Sequence, residues 1–407
     1  MTAPLSHIRV LDLSRVLAGP WASQFLADMG AEVIKIERPR EGDDTRRWGP
    51  PFAVAPSAGD PGLSAYFLCT NRGKKSVTVD IAHPKGQELV RKIAAVSDVV
   101  VENFKVGGLA KYGLDYAALA AVNPRLVYCS ITGFGQTGPY APRAGYDFLV
   151  QGMGGLMSVT GEPDGERGGG PVKVGVAISD VIAGFNALAA ILTALVQRER
   201  TGRGEYIDIA LLDCTVAALI NQASTYLVAG ALPGRMGNAH PTVVPYQAFR
   251  TSDGYIILAV GNDAQFQRFC AVARLEALAE DDRYRTNSAR ILNRGTLIPQ
   301  IAAQLETRSS ADWLWRLEER GVPCGPINSV DQVFADAQVQ ARGMKRVLSH
   351  PTEGPLPVVA NPVRLASHDT TAPKAPPLLG EDTDEVLAGL LALSAAEVAE
   401  LRREGVV

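Results

Sequence analysis

Cysteine is scarce in these 407 residues, and the five present (Cys69, Cys129, Cys214, Cys270 and Cys324) are scattered. Their number is odd and no CxxC spacing occurs. This excludes a disulfide framework or a cysteine-based zinc cluster and leads us to expect reduced thiols in a cytoplasmic protein. The five histidines (His7, His83, His240, His350 and His368) form no HxH, HxxxH or HExxH spacing, so a metal has no local support. Neither sign of charge dominates: 40 Lys and Arg face 43 Asp and Glu, a formal net charge of −3. With no basic stripe to hold phosphates, nucleic acid and anionic membranes are excluded as partners. Met1–Pro20 lacks a charged start followed by an apolar core, so no secretory signal is read there. Long apolar runs are also missing, with one exception. Val181–Val196 is sixteen residues interrupted only by Asn186 and Thr193. A spanning helix needs about 20 apolar residues, and this run leads straight into Gln197, Arg198, Glu199 and Arg200. It reads as a buried core helix.

What is present is a chain long enough for two domains at roughly 100–200 residues each, with 46% hydrophobic residues to build their cores. The first third alternates strand and helix. Ile8–Leu13, Glu32–Glu37, Ser76–Ile81, Asp98–Glu102 and Arg125–Ile131 read as strands, with helical spacing over Gly19–Met29 and Pro84–Val96. Such alternation predicts a parallel sheet with helices on its faces. Gly202 after Arg198 and Arg200 stops the long helix. A strand at Glu205–Ile209 and a helix from Leu211 complete the first domain. Gly230–Gly237 reads as a linker, and Val243–Val260 as a hairpin around Ser252-Asp253-Gly254. Helical stretches to about Arg320 make the second domain a smaller α+β unit. Ala366–Pro377 reads as an extended strap and Thr383–Arg402 as helical.

Gly133-Phe-Gly-Gln-Thr-Gly138 fits GxGxxG after a strand, but Pro139 and Pro142 follow where a dinucleotide site needs a helix to begin. A glycine turn is expected instead. No P-loop and no GxSxG elbow occurs. His240 lies in the linker, where a packed loop histidine and a functional one both remain open. Asp180 stands out most, as an acidic residue at the mouth of the most apolar helix. It reads equally as an N-cap, with Ser179 or Asp180 accepting the first free N–H groups, or as a nucleophile kept ionised by the positive helix end.

Several segments, in order, resemble the family III CoA-transferases, the group that includes formyl-CoA and carnitine CoA-transferases. They are IRVLDLSRVLAGPWASQFLADMGAEVIKIERP, NRGKKSVTVDI, VENF, NPRLVYCSITGFGQTGP, RAGYDFLVQGMGGLMSVTG and TGRGEYIDIALLD, with VPYQAFRTSDGYIILAVGND, GVPCGPINSV and APPLLGEDT later in the chain. The pattern is most similar to the branch that takes CoA from succinyl-CoA to dicarboxylates such as glutarate.

The resemblance implies an α/β fold. A Rossmann-like large domain with a parallel sheet (residues 1–229) would bind CoA, and a linker with a small α+β domain (230–325) would follow. A C-terminal segment (326–407) would return to the large domain. It also implies an interlocked homodimer, and a coenzyme A thioester as substrate with no resident cofactor. Asp180 becomes the nucleophile, with Tyr146 and Asp147 beside it. Val16, Ala18 and Arg38 match positions near the CoA adenine and phosphates. Asn103, Phe104, Lys111 and Tyr112 match the segment lining the nucleotide and pantetheine, and Arg143 falls about where the family has a cation near the adenine. Leu17 stands where formyl-CoA transferase has a glutamine, which argues against formyl or oxalyl chemistry. The related α-methylacyl-CoA racemases, the rival reading, have histidine where this chain has Tyr146, and tyrosine is a poor acid/base at neutral pH. For the far carboxylate of an acceptor acid the candidates are Arg46, Arg47 and His240. The alternative for both arginines is a surface pairing with Asp43 or Asp44.

Overall fold

Strands buried on both faces read as near-continuous apolar runs, because successive side chains point to opposite sides. Six strands, the central ones of this kind, form the main sheet of the computed structural model, which describes residues 3–54, 63–370 and 374–407. They are β1 (Arg9–Asp12), β2 (Glu32–Glu37), β3 (Lys74–Thr78), β4 (Val99–Glu102), β5 (Val127–Thr132) and β6 (Glu205–Ala210). The order is β3-β2-β1-β4-β5-β6, and every pairing is parallel. Val10, Val33, Val99 and Val101 face one core layer, shared with Ala22 and Leu26 of α1 (Ala18–Asp28) and with Ala183, Ala187 and Ile191. Leu11, Ile34, Val77 and Val100 face the other, shared with Leu89, Val90 and Ile93 of α2 (Pro84–Ala95) and with the C-terminal Val386, Leu387 and Val406.

The strand expected at Ser76–Ile81 begins two residues earlier, at Lys74. Lysines read as loop, but Lys74 is fully buried and its Nζ lies 3.1 Å from the Asp12 carboxylate. The terminal helical stretch is two helices, Thr383–Leu391 and Ala395–Arg403, parted where Ala392 adopts a left-handed φ of 55°. The strap has no regular secondary structure in its described part, and 371–373 lie outside the described residues.

After a two-turn helix α3 (Tyr116–Val122) and a short α4 (Asp147–Met153), the apolar run forms α5 (Ile178–Thr201). By length and composition α5 could cross a membrane. Its Ala183–Ala187–Ile191–Ala194 stripe instead packs into the core. The helix expected to belong to the core is buried on that face only, since Phe185 and Val196 on other faces are exposed. Gly202, at φ 71°, ends it with its N–H on the Arg198 carbonyl, 2.8 Å away. Two further helices, α6 (Leu211–Ala217) and α7 (Ile220–Ala229), follow β6.

The chain divides into two compact units. The first comprises Met1–Leu156, Val174–Ser224 and Ala337–Val407, and the second Met157–Lys173 and Thr225–Asp336. The second holds a three-stranded antiparallel sheet of Tyr246–Arg250, Tyr255–Ala259 and Cys324–Pro326, built on the hairpin legible at Asp253-Gly254. Phe266, Phe269, Leu297, Ile301 and Trp313 fill its core. Residues 157–173, read from sequence as part of the large domain, group with this unit. There the Arg235 side chain bonds the Glu162 carbonyl and the Asp164 carboxylate, and the Gly237 N–H bonds the Gly161 carbonyl at 2.9 Å.

Candidate active site

In an open parallel sheet, ligands settle beyond the carboxyl ends of the strands where the strand order reverses. Here that point lies between β1 and β4. A cavity of about 520 Å³ opens there. Val16, Leu17 and Ala18 after β1, Arg38 after β2 and Asn103 and Phe104 after β4 line it. Lys111 and Tyr112, from a single turn at Ala110–Tyr112, close one side, and Arg143, Tyr146 and Asp180 another. Residues named from distant stretches of sequence thus meet in one cavity. Two of its cations lie against aromatic rings: Arg143 is 4.7 Å from the Tyr140 ring centre and 5.2 Å from that of Phe134, and Lys111 is 4.6 Å from that of Tyr112.

The glycine motif after β5 positions this wall. Gly133 and Gly145 pack backbone to backbone: a methyl built on Gly145 would come 2.3 Å from the Gly133 Cα. No helix begins at Gly138, so the motif is a turn, as its prolines suggested. Its close approach delivers Tyr146 and Asp147, the next two residues, to the start of α5.

The cap of α5 differs from both residues expected. Ala177 is its N-cap and supplies no side chain, and Ser179 and Asp180 lie inside the first turn. Asp147 does the capping from α4. Its Oδ1 accepts the N–H of Ser179 at 2.8 Å and of Asp180 at 3.4 Å, and its Oδ2 accepts from Gln151 Nε2 at 2.7 Å. The Thr215 hydroxyl fixes Ser179 Oγ at 2.8 Å. Asp147 itself does not line the cavity; it sits behind Asp180. With the helix N–H groups so occupied, Asp180 is not the low-pKa carboxylate expected of a helix N-terminus. Burial, and then the Asp147 charge, push its carboxyl up to about 7.

This shift has a measurable consequence. An attack by Asp180 would require its carboxylate form, so kcat/KM for transfer should then rise with pH and level off above the Asp180 value of about 7. Asp147→Asn removes a like charge, which favours the ionised form, and should move the midpoint to lower pH. A flat profile between about pH 5 and 9, or a midpoint that climbs in the variant, would contradict this electrostatic account.

Sequence reading missed Tyr66. Burial and then the charge of Asp180 push its hydroxyl up to about 12, so the two groups feel each other electrostatically. The Trp48 ring meets it edge-on, with centres 5.1 Å apart. Phe67 and Leu68 beside it make Ser64–Thr70 read as an ordinary apolar stretch, so nothing in the sequence singled Tyr66 out.

Of the acceptor candidates, none lines the cavity. Arg46 is 1% exposed, forks onto both Glu37 oxygens at 2.7 Å and stacks 3.8 Å from the Phe67 ring centre. It is a structural residue, contrary to the expectation of either a clamp or a surface pair with Asp43 or Asp44. Arg47 is exposed beside Trp48. His240 belongs to the second unit, where its Nδ1 accepts the Thr242 N–H and its ring packs on Tyr246. Among the described residues no group of His, Cys, Asp and Glu is arranged to hold a metal ion.

Residues 5–383 match the family model for CoA-transferase family III. The chain belongs to that family, and it is an enzyme that transfers CoA between carboxylic acids. It is 50% identical over 387 residues to the succinate–glutarate CoA-transferase of Agrobacterium fabrum, covering 95% of this chain and 96% of that one. It is 43% identical to the succinyl-CoA:glutarate CoA-transferase of Homo sapiens over 99% of this chain and 90% of the relative. A CAIB/BAIF family protein from Brucella suis has a similar solved structure, with a TM-score of 0.84 and 49% identity over 96% of this chain and 100% of that one.

Proposed function

We propose that the enzyme moves CoA from succinyl-CoA to a short dicarboxylate such as glutarate, with Asp180 as the nucleophile. The observation that carries the reading is the shared cavity, in which Asp180 lies with the cations Arg38, Lys111 and Arg143. Those cations suit the phosphates of a CoA nucleotide, and coenzyme A enters as substrate rather than as a resident cofactor.

The chemistry is an exchange of acyl partners without ATP. The Asp180 carboxylate attacks the thioester carbonyl, and CoA thiolate leaves, giving a mixed anhydride. The thiolate, still held by its nucleotide, attacks the aspartyl carbonyl of that anhydride and expels succinate, leaving an aspartyl-CoA thioester. The acceptor carboxylate attacks this thioester, expelling thiolate and forming a second anhydride. Thiolate then attacks the acceptor's acyl carbon, releasing the new thioester and restoring Asp180. One thioester replaces another, so catalysis is positioning and exclusion of water.

The second carboxylate of the acceptor needs a cation; with His240 in the second unit the choice falls between the two arginines, and Arg47, exposed but outside the cavity lining, is the one left after Arg46 is assigned to Glu37. The two should separate cleanly. Arg46→Ala leaves Glu37 buried without its partner and should cost about 3–5 kcal/mol of stability, seen as a lower Tm. Arg47→Ala should keep Tm and raise KM for a dicarboxylate far more than for a monocarboxylate of equal length. An equal effect on both acids would remove Arg47 from the acceptor site.

The homodimer implied by the resemblance is part of the same proposal. Ile220, Leu227 and Val228 of α7 are 73%, 79% and 86% exposed, apolar surface that a second copy would cover.

A further inference from the structure

Val16 carries a β-branched side chain at φ 71°, a backbone region that such residues rarely enter. It is the middle of the turn that leads from β1 into α1, and Val16, Leu17 and Ala18 together form one wall of the cavity. Something must hold it there. The side-chain amide of Asn103 engages both sides of the preceding residue: Oδ1 accepts the Arg15 N–H at 2.9 Å, and Nδ2 donates to the Arg15 carbonyl at 2.6 Å. The Arg15 guanidinium lies 5.4 Å from the centre of the Phe104 ring, so neighbouring residues hold backbone and side chain together. From below, the Val16 N–H reaches the buried Asp43 carboxylate at 3.3 Å, and Lys35 Nζ ties Asp43 (2.9 Å) to the Ser14 carbonyl (2.7 Å).

The wall bears directly on the nucleophile helix. A methyl on Gly184 would meet the Ala18 carbonyl at 2.8 Å, and Gly184 lies one turn after Asp180 on α5. A shift of the Val16 turn therefore has nowhere to go without disturbing the Asp180 end of the cavity.

We propose that Asn103 is a positioning residue: its amide locks the Arg15 peptide groups and so holds Val16 in the left-handed conformation that shapes the 16–18 wall. This differs from the direct CoA contact that the family resemblance suggested for Asn103, because both ends of its amide are engaged by the chain itself. The proposal rests on reading the cavity as the acyl-CoA site.

A double-mutant cycle separates the two roles. Asn103→Ala should raise KM for succinyl-CoA about tenfold, a loss on the scale expected from sub-ångström misplacement. Glycine adopts a positive φ freely, so in a Val16→Gly background the same change should cost less than about threefold. Equal cost in both backgrounds would show that Asn103 acts on the ligand and would overturn the proposal. If Asn103→Ala does not fold, the cycle is run with Asn103→Asp, which keeps the acceptor and loses the donor. Hydrogen exchange across 13–18 in the unliganded protein gives a readout independent of substrate. It should accelerate in the Asn103 variant, and unchanged protection would equally overturn the proposal. Failure of the acyl-CoA reading itself would look different: the unmodified enzyme would show no CoA binding by calorimetry.

Discussion

Asp180→Asn should abolish CoA transfer, by more than about 1000-fold, because an amide cannot form the anhydride on which the proposed exchange depends. The same change should make the protein more stable. Burial and Asp147 raise the Asp180 carboxyl to about 7 in the folded chain, whereas an unfolded aspartate titrates near 3.9. Between those values the folded state keeps a proton that the unfolded state has lost, so stability falls as pH rises through the window. Above it the penalty is fully present. Asparagine never ionises, and should therefore gain about 1–3 kcal/mol at pH 8, allowing for the partial exposure of the group. Below about pH 4 the gain should vanish. Thermal unfolding of both proteins across this range checks the sign. A destabilised variant at pH 8, or one retaining activity within tenfold of the original, would contradict the assignment.

Gly145→Ala should be the most damaging single methyl in the chain's site. Its added carbon would sit 2.3 Å from the Gly133 Cα, backbone against backbone, so the Gly145–Asp147 segment has to move. That movement pulls Asp147 off the first turn of α5 and disturbs both the position and the charge environment of Asp180. Misplacement on the scale of 1 Å costs about 100-fold in rate, and overpacking of this kind costs about 1–3 kcal/mol in stability. Gly389→Ala is the control, since an added methyl there meets nothing within 4 Å. Near-normal turnover in Gly145→Ala would mean that the glycine contact does not position the site.

The sheet was legible because its central strands are apolar on both faces, and a valine-rich run such as Val99-Val100-Val101 needs two covering layers. The start of β3 was not, because Lys74 is tolerated inside by its pairing with Asp12, a residue from another strand, and by bonds to the Pro20 carbonyl and the Asn71 amide. Asp180 could be singled out as a carboxylate at the head of an apolar helix. Its capping partner could not: Asp147 lies 33 residues away, and only the Gly133–Gly145 contact brings it near. That hidden partner also reversed the expected electrostatics, since an N-terminus already capped by one carboxylate does not stabilise a second. Arg46 and Arg47 are adjacent and alike in sequence, and only burial against Glu37 and Phe67 tells them apart. The excursion at 157–173 lacks either periodicity, so nothing in its sequence assigned it to the second unit.

The central claim is covalent, and trapping tests it most directly. The enzyme incubated with succinyl-CoA and no acceptor, then digested and analysed by mass spectrometry, should carry CoA as a thioester on the peptide containing Asp180. Hydroxylamine should remove it, and Asp180→Asn should never form it. A CoA adduct mapped to another residue, or turnover by an enzyme that never acquires one under any quench, would contradict the mechanism.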